Sequence, residues 1–176
     1  SLGLVGSEMC IRDSSTAFDV STSSFVDAFS TSSQDGRATG IAFNNDGTKM
    51  FLTGFDGDDV NEYTLSTGFD VSTASFVDSF SVSSQEDSPS DLAFNSDGTK
   101  MFVVGVTGDD INEYTLSTGF DVSTASYDSN FSVASQDTEP TGLTFSTDGK
   151  KMFVIGNSGN DVNEYTLSLI HISEPT

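Results

Sequence analysis

A repeat of 51 residues is the feature that most constrains the fold of this 176-residue chain. Three units follow one another without insertion, at 15–65, 66–116 and 117–167. A period of this length is typical of folds that build one small structural unit per repeat and stack the units side by side. The positions that carry the spacing are Phe18, Phe69 and Phe120, then Tyr63, Tyr114 and Tyr165, then Gly47, Gly98 and Gly149.

Each repeat is predicted to contain four short β-strands and no helix. In the second repeat, alternating or apolar runs occur at 75–82, 92–94, 101–104 and 111–116, separated by turn residues. Asp97-Gly98 stands between two of these runs, and such a pair favours a tight hairpin because glycine adopts positive φ at no steric cost. The chain is therefore predicted to be all-β and antiparallel.

The hairpin sequence carries a family resemblance. Residues 94–105 read Phe-Asn-Ser-Asp-Gly-Thr-Lys-Met-Phe-Val-Val-Gly, which resembles the F-x-x-D-G-x-x-[LM]-[FY]-V hairpin of β-propeller blades of the YVTN-type and lactonase-like families. The resemblance implies consecutive four-stranded antiparallel blades around a central channel. Three blades are fewer than the four to eight of a closed propeller, which predicts an open arc or part of a larger ring. A β-trefoil, also built from three four-stranded repeats, is the alternative.

Both ends of the chain are predicted to be non-native. Residues 4–13 and 167–176 resemble the two translations, in opposite orientation, of a transposase-type sequencing adapter. We therefore separate 1–14 and 167–176 from fold reasoning, and expect the natural protein to be longer. The single cysteine and the single histidine, Cys10 and His171, fall in these end segments.

The order of the strands predicts unpaired edges at both ends of the arc. The repeats open with a fourth, outer strand at 25–30 and close with a third strand at 162–167. Exposed strand edges invite pairing. We expect self-association, in which two copies pair head to tail into a six-blade ring, and the alternative is an open arc or an aggregate.

Composition excludes several classes of function. The formal net charge is −21, which disfavours binding to a phosphate backbone. No apolar run is long enough for a membrane span. Residues 15–166 contain neither Cys nor His, which excludes Cys-His and Ser-His-Asp catalysis and zinc sites built from those ligands. Paired-carboxylate chemistry remains an alternative, but the acids of the repeats are expected to be solvated surface groups, and no catalytic residue is predicted within the repeats.

The acidic loops before the tyrosine strands are candidate calcium sites. Carboxylates and amide oxygens at close spacing suit a hard cation, although the same residues also form turns in which aspartate caps backbone N–H groups. No other cofactor is predicted. The candidate ligands are Asp58, Asp59, Asp109, Asp110, Asn160 and Asp161.

Two loops of each repeat vary in sequence, and the strand order places both at one end of the sheets. Loops held by a rigid scaffold commonly carry binding residues, although drift in surface loops is the alternative. The four lysines of the repeats lie at or beside hairpin turns and are expected to be solvated. The candidate binding residues are Arg37, Phe55, Asp56, Glu86, Asp87, Thr107, Glu139 and Asn157.

The sequence predicts a non-enzymatic β-propeller module that presents loops to a protein or glycan partner, in the extracellular space or on a cell surface. The high net negative charge suits a dispersed, soluble protein. The alternative is part of a lactonase-type or hydrolase-type propeller enzyme whose catalytic residues lie outside this chain.

Overall fold

The computed structural model describes residues 18–167, which form eleven β-strands and three single-turn 3-10 helices. The all-β prediction is confirmed. The 3-10 helices are Val20–Thr22, Val71–Thr73 and Val122–Thr124. The strands are β1 (Ala38–Phe43), β2 (Lys49–Gly54), β3 (Asp59–Leu65), β4 (Ala74–Ser81), β5 (Pro89–Phe94), β6 (Lys100–Gly105), β7 (Asp110–Leu116), β8 (Ala125–Ser132), β9 (Pro140–Phe145), β10 (Lys151–Gly156) and β11 (Val162–Thr166).

The strands form three antiparallel sheets in which neighbours follow chain order. Sheet 1 contains β1 to β4, sheet 2 contains β5 to β8, and sheet 3 contains β9 to β11. The first strands begin at Ala38, Pro89 and Pro140. Each four-stranded sheet therefore takes three strands from one repeat and its fourth strand from the next repeat.

The segment 25–30, predicted as a strand, is not a strand in the structure. Its place as an outer strand is nevertheless held, because the ring of Phe29 packs edge-on against Tyr63 with centroids 5.5 Å apart. Phe80 of β4 packs on Tyr114 at the same distance. A strand is defined by its ladder of hydrogen bonds, and among residues 18–167 the segment has no neighbouring strand with which to form one.

The predicted hairpins form where the Asp-Gly pairs stand. Gly98 has φ +71°, a conformation that disfavours a side chain. The carboxylate of Asp97 accepts hydrogen bonds from the N–H of Thr99 at 3.0 Å and from its hydroxyl at 2.6 Å. These bonds, the hydroxyl first, hold the pKa of Asp97 below its ordinary value. The turn is therefore built from contacts within a few residues.

A short segment between the third and fourth strands lies across the interface between neighbouring sheets. We call the segments 18–22, 69–73 and 120–124 the first, second and third straps. The ring of Phe120 lies 6.2 Å from that of Phe51 in sheet 1 and 5.5 Å from that of Phe94 in sheet 2. Burying such a ring stabilises by about 1.5–3 kcal/mol, so the third strap joins sheets 1 and 2.

One lysine departs from the predicted solvated position. Lys49 is half-buried and its ammonium group donates to Glu62 at 2.6 Å and to the carbonyl oxygen of Phe120 at 2.5 Å. The third strap covers this lysine, so its environment depends on a segment about 70 residues later in the chain.

The first strands of neighbouring sheets pack against one another. Thr39 of β1 donates its hydroxyl to the carbonyl of Pro89 at 3.2 Å, and Ser90 of β5 donates to the carbonyl of Pro140 at 3.2 Å. Sheets that meet at their first strands and follow chain order outwards are blades of a propeller and not the hairpins of a trefoil.

Candidate functional site

The two variable loops of each repeat meet at one end of the sheets, where an acidic side chain links them. In sheet 1, Asp35 accepts hydrogen bonds from the N–H of Arg37 at 2.6 Å and of Gly57 at 3.2 Å. Asp35 lies in the loop before β1 and Gly57 in the loop between β2 and β3. We call these six loops, at 34–37, 55–58, 85–88, 106–109, 136–139 and 157–160, the rim.

Glu86 was predicted as a surface binding residue, and its position in the structure corrects that prediction. Its residue surface is 1% exposed. Its carboxylate accepts hydrogen bonds from the N–H groups of Ser88 at 2.9 Å, Thr107 at 3.1 Å and Gly108 at 3.0 Å. Buried backbone N–H groups require partners, and this side chain supplies them, so Glu86 holds the rim together from inside.

Asp137 has the same role in sheet 3. Burial opposes ionisation of this carboxyl group, but hydrogen bonds from the Ser158 hydroxyl and from the N–H groups of Glu139 and Gly159 outweigh it. The pKa of Asp137 is therefore lowered, and the charged form is the one that the rim stabilises.

Three predicted binding residues come together on the exposed face of the rim. The guanidinium carbon of Arg37 lies 5.0 Å from the centre of the Phe55 ring. The same guanidinium lies 3.9 Å from the carboxylate of Asp56. Exposed contacts of these kinds contribute only about 0.5–1 kcal/mol each. The cluster places two opposite charges in solvent beside the half-buried ring of Phe55.

The remaining rim predictions are distributed around the same end of the sheets. Asp87, Thr107, Glu139 and Asn157 are all exposed. Each comes from a different loop of sheets 2 and 3. They therefore do not converge with the Arg37 cluster, which belongs to sheet 1.

The acidic loops predicted to bind calcium form turns instead of a ligand cluster. Asp58, Asp109 and Asn160 have φ of +52°, +52° and +55°. Two of their carbonyls accept the N–H that follows the outer strand, as when Asp58 accepts from Val82 at 2.9 Å. Burial, followed by repulsion from neighbouring carboxylates, raises the pKa of Asp58.

The other predicted ligands are occupied by amides or stand apart. Asp110 is buried, with a pKa raised mainly by burial, and its carboxylate accepts from the side-chain amides of Asn112 and Asn130. Asp161 accepts from Asn163 at 3.0 Å, and Asp59 is half-buried. Residues 18–167 contain no group of three or more Asp, Glu, His or Cys side chains that could hold a metal ion, so we carry the calcium prediction no further.

Sequence reasoning missed Asp91, which is the one charged side chain on β1, β5 and β9. Gly40 and Gly142 stand at the equivalent positions of the other two repeats. The carboxylate of Asp91 accepts from the N–H of Leu92 and from the N–H of Leu143 on the next sheet, both at 2.9 Å. A Cβ at Gly40 would lie 2.8 Å from the Asp91 Cα, so the first strands converge closely here. The break in the glycine repeat was the signal that could have found it.

Asp91 and the rim lie at the same end of the molecule. β5 begins at Pro89, directly after the rim loop that contains Glu86 and Asp87. The candidate site is therefore the rim together with Asp91, at the place where the innermost strands meet.

Within the described residues no helix has both the length and the apolar character that crossing a membrane requires.

The fold and this site define a β-propeller arc. No family model and no curated protein matches the chain in sequence. Among solved structures, it is similar to a proposed 6-phosphogluconolactonase from Bacteroides uniformis, with 13% identity and a TM-score of 0.58, over 76% of this chain and 38% of that one. It is also similar to a periplasmic gluconolactonase from Pseudomonas aeruginosa, with 14% identity and a TM-score of 0.53, over 74% and 37%.

A third similar structure has a different activity. It is the hydrazine synthase of Kuenenia stuttgartiensis, with 18% identity and a TM-score of 0.55, over 73% of this chain and 32% of that one. Identities this low show the fold alone, and one fold carries many activities. The chain spans between about a third and two fifths of the length of these structures.

The prediction that the chain is not an enzyme was wrong, because the similar structures include a proposed 6-phosphogluconolactonase and a gluconolactonase. The absence of Cys and His from residues 15–166 does not exclude an enzyme whose catalytic groups lie outside this chain, which is the alternative that the sequence left open.

Proposed function

We propose that this chain supplies consecutive blades of a lactone-hydrolysing propeller enzyme whose other catalytic groups lie outside residues 18–167. The proposal is carried by the likeness of the arc to two structures, one named as a proposed 6-phosphogluconolactonase and the other as a gluconolactonase. It is supported by Asp91, a single carboxylate on otherwise uncharged innermost strands. A carboxylate that accepts two N–H groups is held in one orientation, as a group that contacts substrate or water needs to be.

The charge of the chain favours an uncharged lactone over a phosphorylated one. Each of the five basic residues that the structure describes already pairs with a carboxylate. The net charge of −21 repels anions at a distance. A phosphate group would therefore find neither a free cation nor a favourable field in this part of the enzyme.

The rim offers the features that bind a sugar ring. Carbohydrate C–H faces pack on aromatic rings, and sugar hydroxyls donate to carboxylates. Phe55 and Asp56 present both chemistries side by side, with Arg37 holding them together. We propose that this cluster receives the ligand before it reaches the innermost strands.

The proposal is tested by measuring acid release. Opening a lactone liberates one carboxylic acid, so pH-stat titration follows the reaction directly. The protein is expressed with whatever coding sequence flanks it in the source DNA and is offered glucono-δ-lactone and its 6-phosphate. We expect faster turnover of the uncharged lactone, and a loss of about tenfold or more in kcat/KM for Asp91→Asn. Asp27→Asn, an exposed carboxylate on the segment 25–30, is the matched control.

Absence of acid release from either lactone would reject the enzyme proposal. Equal losses for Asp91→Asn and Asp27→Asn would reject the part assigned to Asp91 and leave the activity itself in place.

A partner-binding rim is the second candidate function, supported by the exposed Arg37 side chain that lies over the half-buried ring of Phe55. We propose a glycan or protein ligand at this surface. Phe55→Ala is expected to weaken binding on a glycan array at unchanged melting temperature, whereas Val77→Ala, on the outer face of β4, is expected to leave binding unchanged. A glycan array on which the wild-type chain retains no ligand would count against this role.

A further inference from the structure

A groove of about 520 Å³ lies between sheets 2 and 3 at the hairpin end of the molecule. The place equivalent to it between sheets 1 and 2 is filled by the third strap, with the ring of Phe120 over Gly98. A Cβ at Gly98 would lie 2.6 Å or less from atoms of that ring, whereas a Cβ at Gly149 would meet nothing within 4 Å. The groove is therefore a strap position that no part of residues 18–167 occupies. It is lined by Lys100, Phe102, Phe145, Asp148, Gly149 and Leu167, among others.

The groove reproduces the arrangement that holds the third strap. Between sheets 1 and 2, Phe51 and Phe94 lie 4.5 Å apart beside Phe120. Between sheets 2 and 3, the equivalent pair Phe102 and Phe145 lie 4.6 Å apart. The aromatic walls of the groove are thus already in the positions that would receive a phenylalanine.

The polar partners of a strap are in place as well. In sheet 1, Lys49 donates to the Phe120 carbonyl, and Glu62 accepts from the N–H of Val122 at 3.0 Å. In sheet 2, the equivalent pair one repeat later is Lys100 and Glu113. Glu113 is more exposed than Glu62, with 27% of its side chain accessible against 3%, because no described strap covers it.

Sheet 3 also leaves a strand edge without a described neighbour. β11 pairs with β10 alone, whereas β3 and β7 each pair on both sides. Val162 of β11 is 66% exposed, while its equivalents Val60 and Ile111 are 0% and 3% exposed. The groove and this edge adjoin, since one strap and one outer strand follow each other in the chain.

The segment that fits both features stands exposed at the other end of the arc. Phe18 has φ +62°, matching +60° at Phe69 and +58° at Phe120. Asp19 accepts from the N–H of Ser21 as the equivalent aspartates of the later straps accept from theirs. Phe18 and Phe25 are exposed, so the first strap has its bound shape before it contacts anything.

We propose that residues 18–30 of one copy of this chain dock on a second copy, with the first strap in the groove and 25–30 paired along β11. Sheet 1 supplies the register: Tyr63 opposes Phe76 and Val60 opposes Phe80. The donated segment lies one repeat earlier than β4, and β11 lies two repeats later than β3. By the same register, Phe25 of one copy opposes Tyr165 of the other, and Phe29 opposes Val162. Phe18 covers Gly149, and Lys100 and Glu113 bind the strap backbone.

The joint is heterologous, since the donor and acceptor surfaces differ. Such joints give rings when the rotation closes and open chains when it does not. Two copies that exchange segments reciprocally form six four-stranded sheets, within the four to eight blades of known propellers.

The proposal is tested by sedimentation velocity of the full 176-residue chain at protein concentrations from one to one hundred micromolar. We expect a concentration-dependent dimer or head-to-tail oligomer. Phe18→Asp removes the donor ring and is expected to raise the dissociation constant at least tenfold. Because Phe18 is fully exposed among residues 18–167, circular dichroism and melting temperature should stay unchanged at low concentration. Val77→Asp is the matched control, because it also replaces an exposed apolar side chain by aspartate, on an outer strand away from the joint.

A second variant acts on the acceptor side. Gly149→Asn keeps the left-handed φ that asparagine tolerates but places a side chain where Phe18 would lie. Each variant alone is expected to be monomeric. A mixture of the two is expected to form a 1:1 heterodimer, since one joint remains intact between the acceptor of the Phe18→Asp chain and the donor of the Gly149→Asn chain.

A monomeric wild-type chain at one hundred micromolar would overturn the proposal. An oligomer that survives both substitutions would also overturn it, because the joint would then lie elsewhere. If residues 168–176 of the same chain occupied the groove, Phe18→Asp would leave the sedimenting mass unchanged, and this result would overturn the proposal too.

Discussion

The carboxylate of Glu62 in β3 accepts a hydrogen bond from the N–H of Val122, 3.0 Å away and 60 residues later in the chain. The same carboxylate pairs with Lys49 at 2.6 Å. Glu62 is thus a buried charge with two partners, one on its own sheet and one on the strap that closes the interface. Buried charges are tolerated only when they are paired and hydrogen-bonded, so this residue reports whether the strap is in place.

Removing Glu62 should be far more costly than removing its equivalents. Glu62→Ala leaves the half-buried Lys49 and the Val122 N–H without this partner, and the free energy of unfolding is expected to fall by about 2–4 kcal/mol. Glu164, half-exposed in sheet 3, should cost at most about 0.5 kcal/mol. Urea denaturation in the Phe18→Asp background, which removes contacts between chains, measures both, and equal losses would contradict the assigned role.

Two glycines with the same backbone conformation separate packing from strain. Gly98 has φ +71° and lies against the Phe120 ring, whereas Gly149 has φ +68° and a Cβ built on it would meet no atom of residues 18–167 within 4 Å. Alanine at either position incurs the strain of positive φ, but only Gly98→Ala also displaces the ring. We expect Gly98→Ala to be less stable than Gly149→Ala by about 1–3 kcal/mol, measured by thermal denaturation at low concentration. A smaller loss for Gly98→Ala would show that the strap is not packed as described.

The Glu86 carboxylate should be replaceable by neither amide nor alanine. Glutamine keeps one acceptor oxygen and presents an NH₂ to the N–H of Gly108, so Glu86→Gln is expected to cost about 1–3 kcal/mol. Hydrogen exchange of the Thr107 and Gly108 amides should accelerate in that variant. Glu139→Gln, on the exposed face of the rim, is the control and should leave both measurements unchanged.

Stability should rise as the pH falls from 7 towards about 4. The pKa of Asp58 is raised by burial and by neighbouring carboxylates, so the folded state binds its proton more readily than the unfolded state, and stability is lost as pH rises. Asp58→Asn should raise the Tm at pH 7 and add little at pH 4. The third repeat already carries Asn160 at this position with φ +55°, so the substitution suits the backbone.

The trend should reverse below the ordinary aspartate pKa. Asp46, Asp97 and Asp148 have lowered pKa values because their hairpin hydroxyl and N–H partners favour the charged form. The stability that they contribute is present above the unfolded pKa and is lost as pH falls through the folded one. A Tm that decreases steadily from pH 7 to pH 4 would contradict the assignment of Asp58.

Much of the architecture follows from local features of the sequence. The repeat period, the strand positions and the Asp-Gly hairpins depend on residues a few positions apart, and for that reason the sequence predicted them. The offset between repeats and sheets was also predictable, because it follows from the order of strands along the chain. The segment 25–30 failed to form a strand because a ladder requires a partner that local sequence does not supply.

Local sequence therefore specifies the repeating unit: a 51-residue period, four strand positions and turns whose glycines accept positive φ. The tertiary structure alone decided which acids are buried and which surfaces remain open. Glu86, Lys49 and Asp91 all depend on partners 21 to 71 residues away. The cost of burying a charge is set by those distant groups, because desolvation and hydrogen bonding act through space and not along the chain.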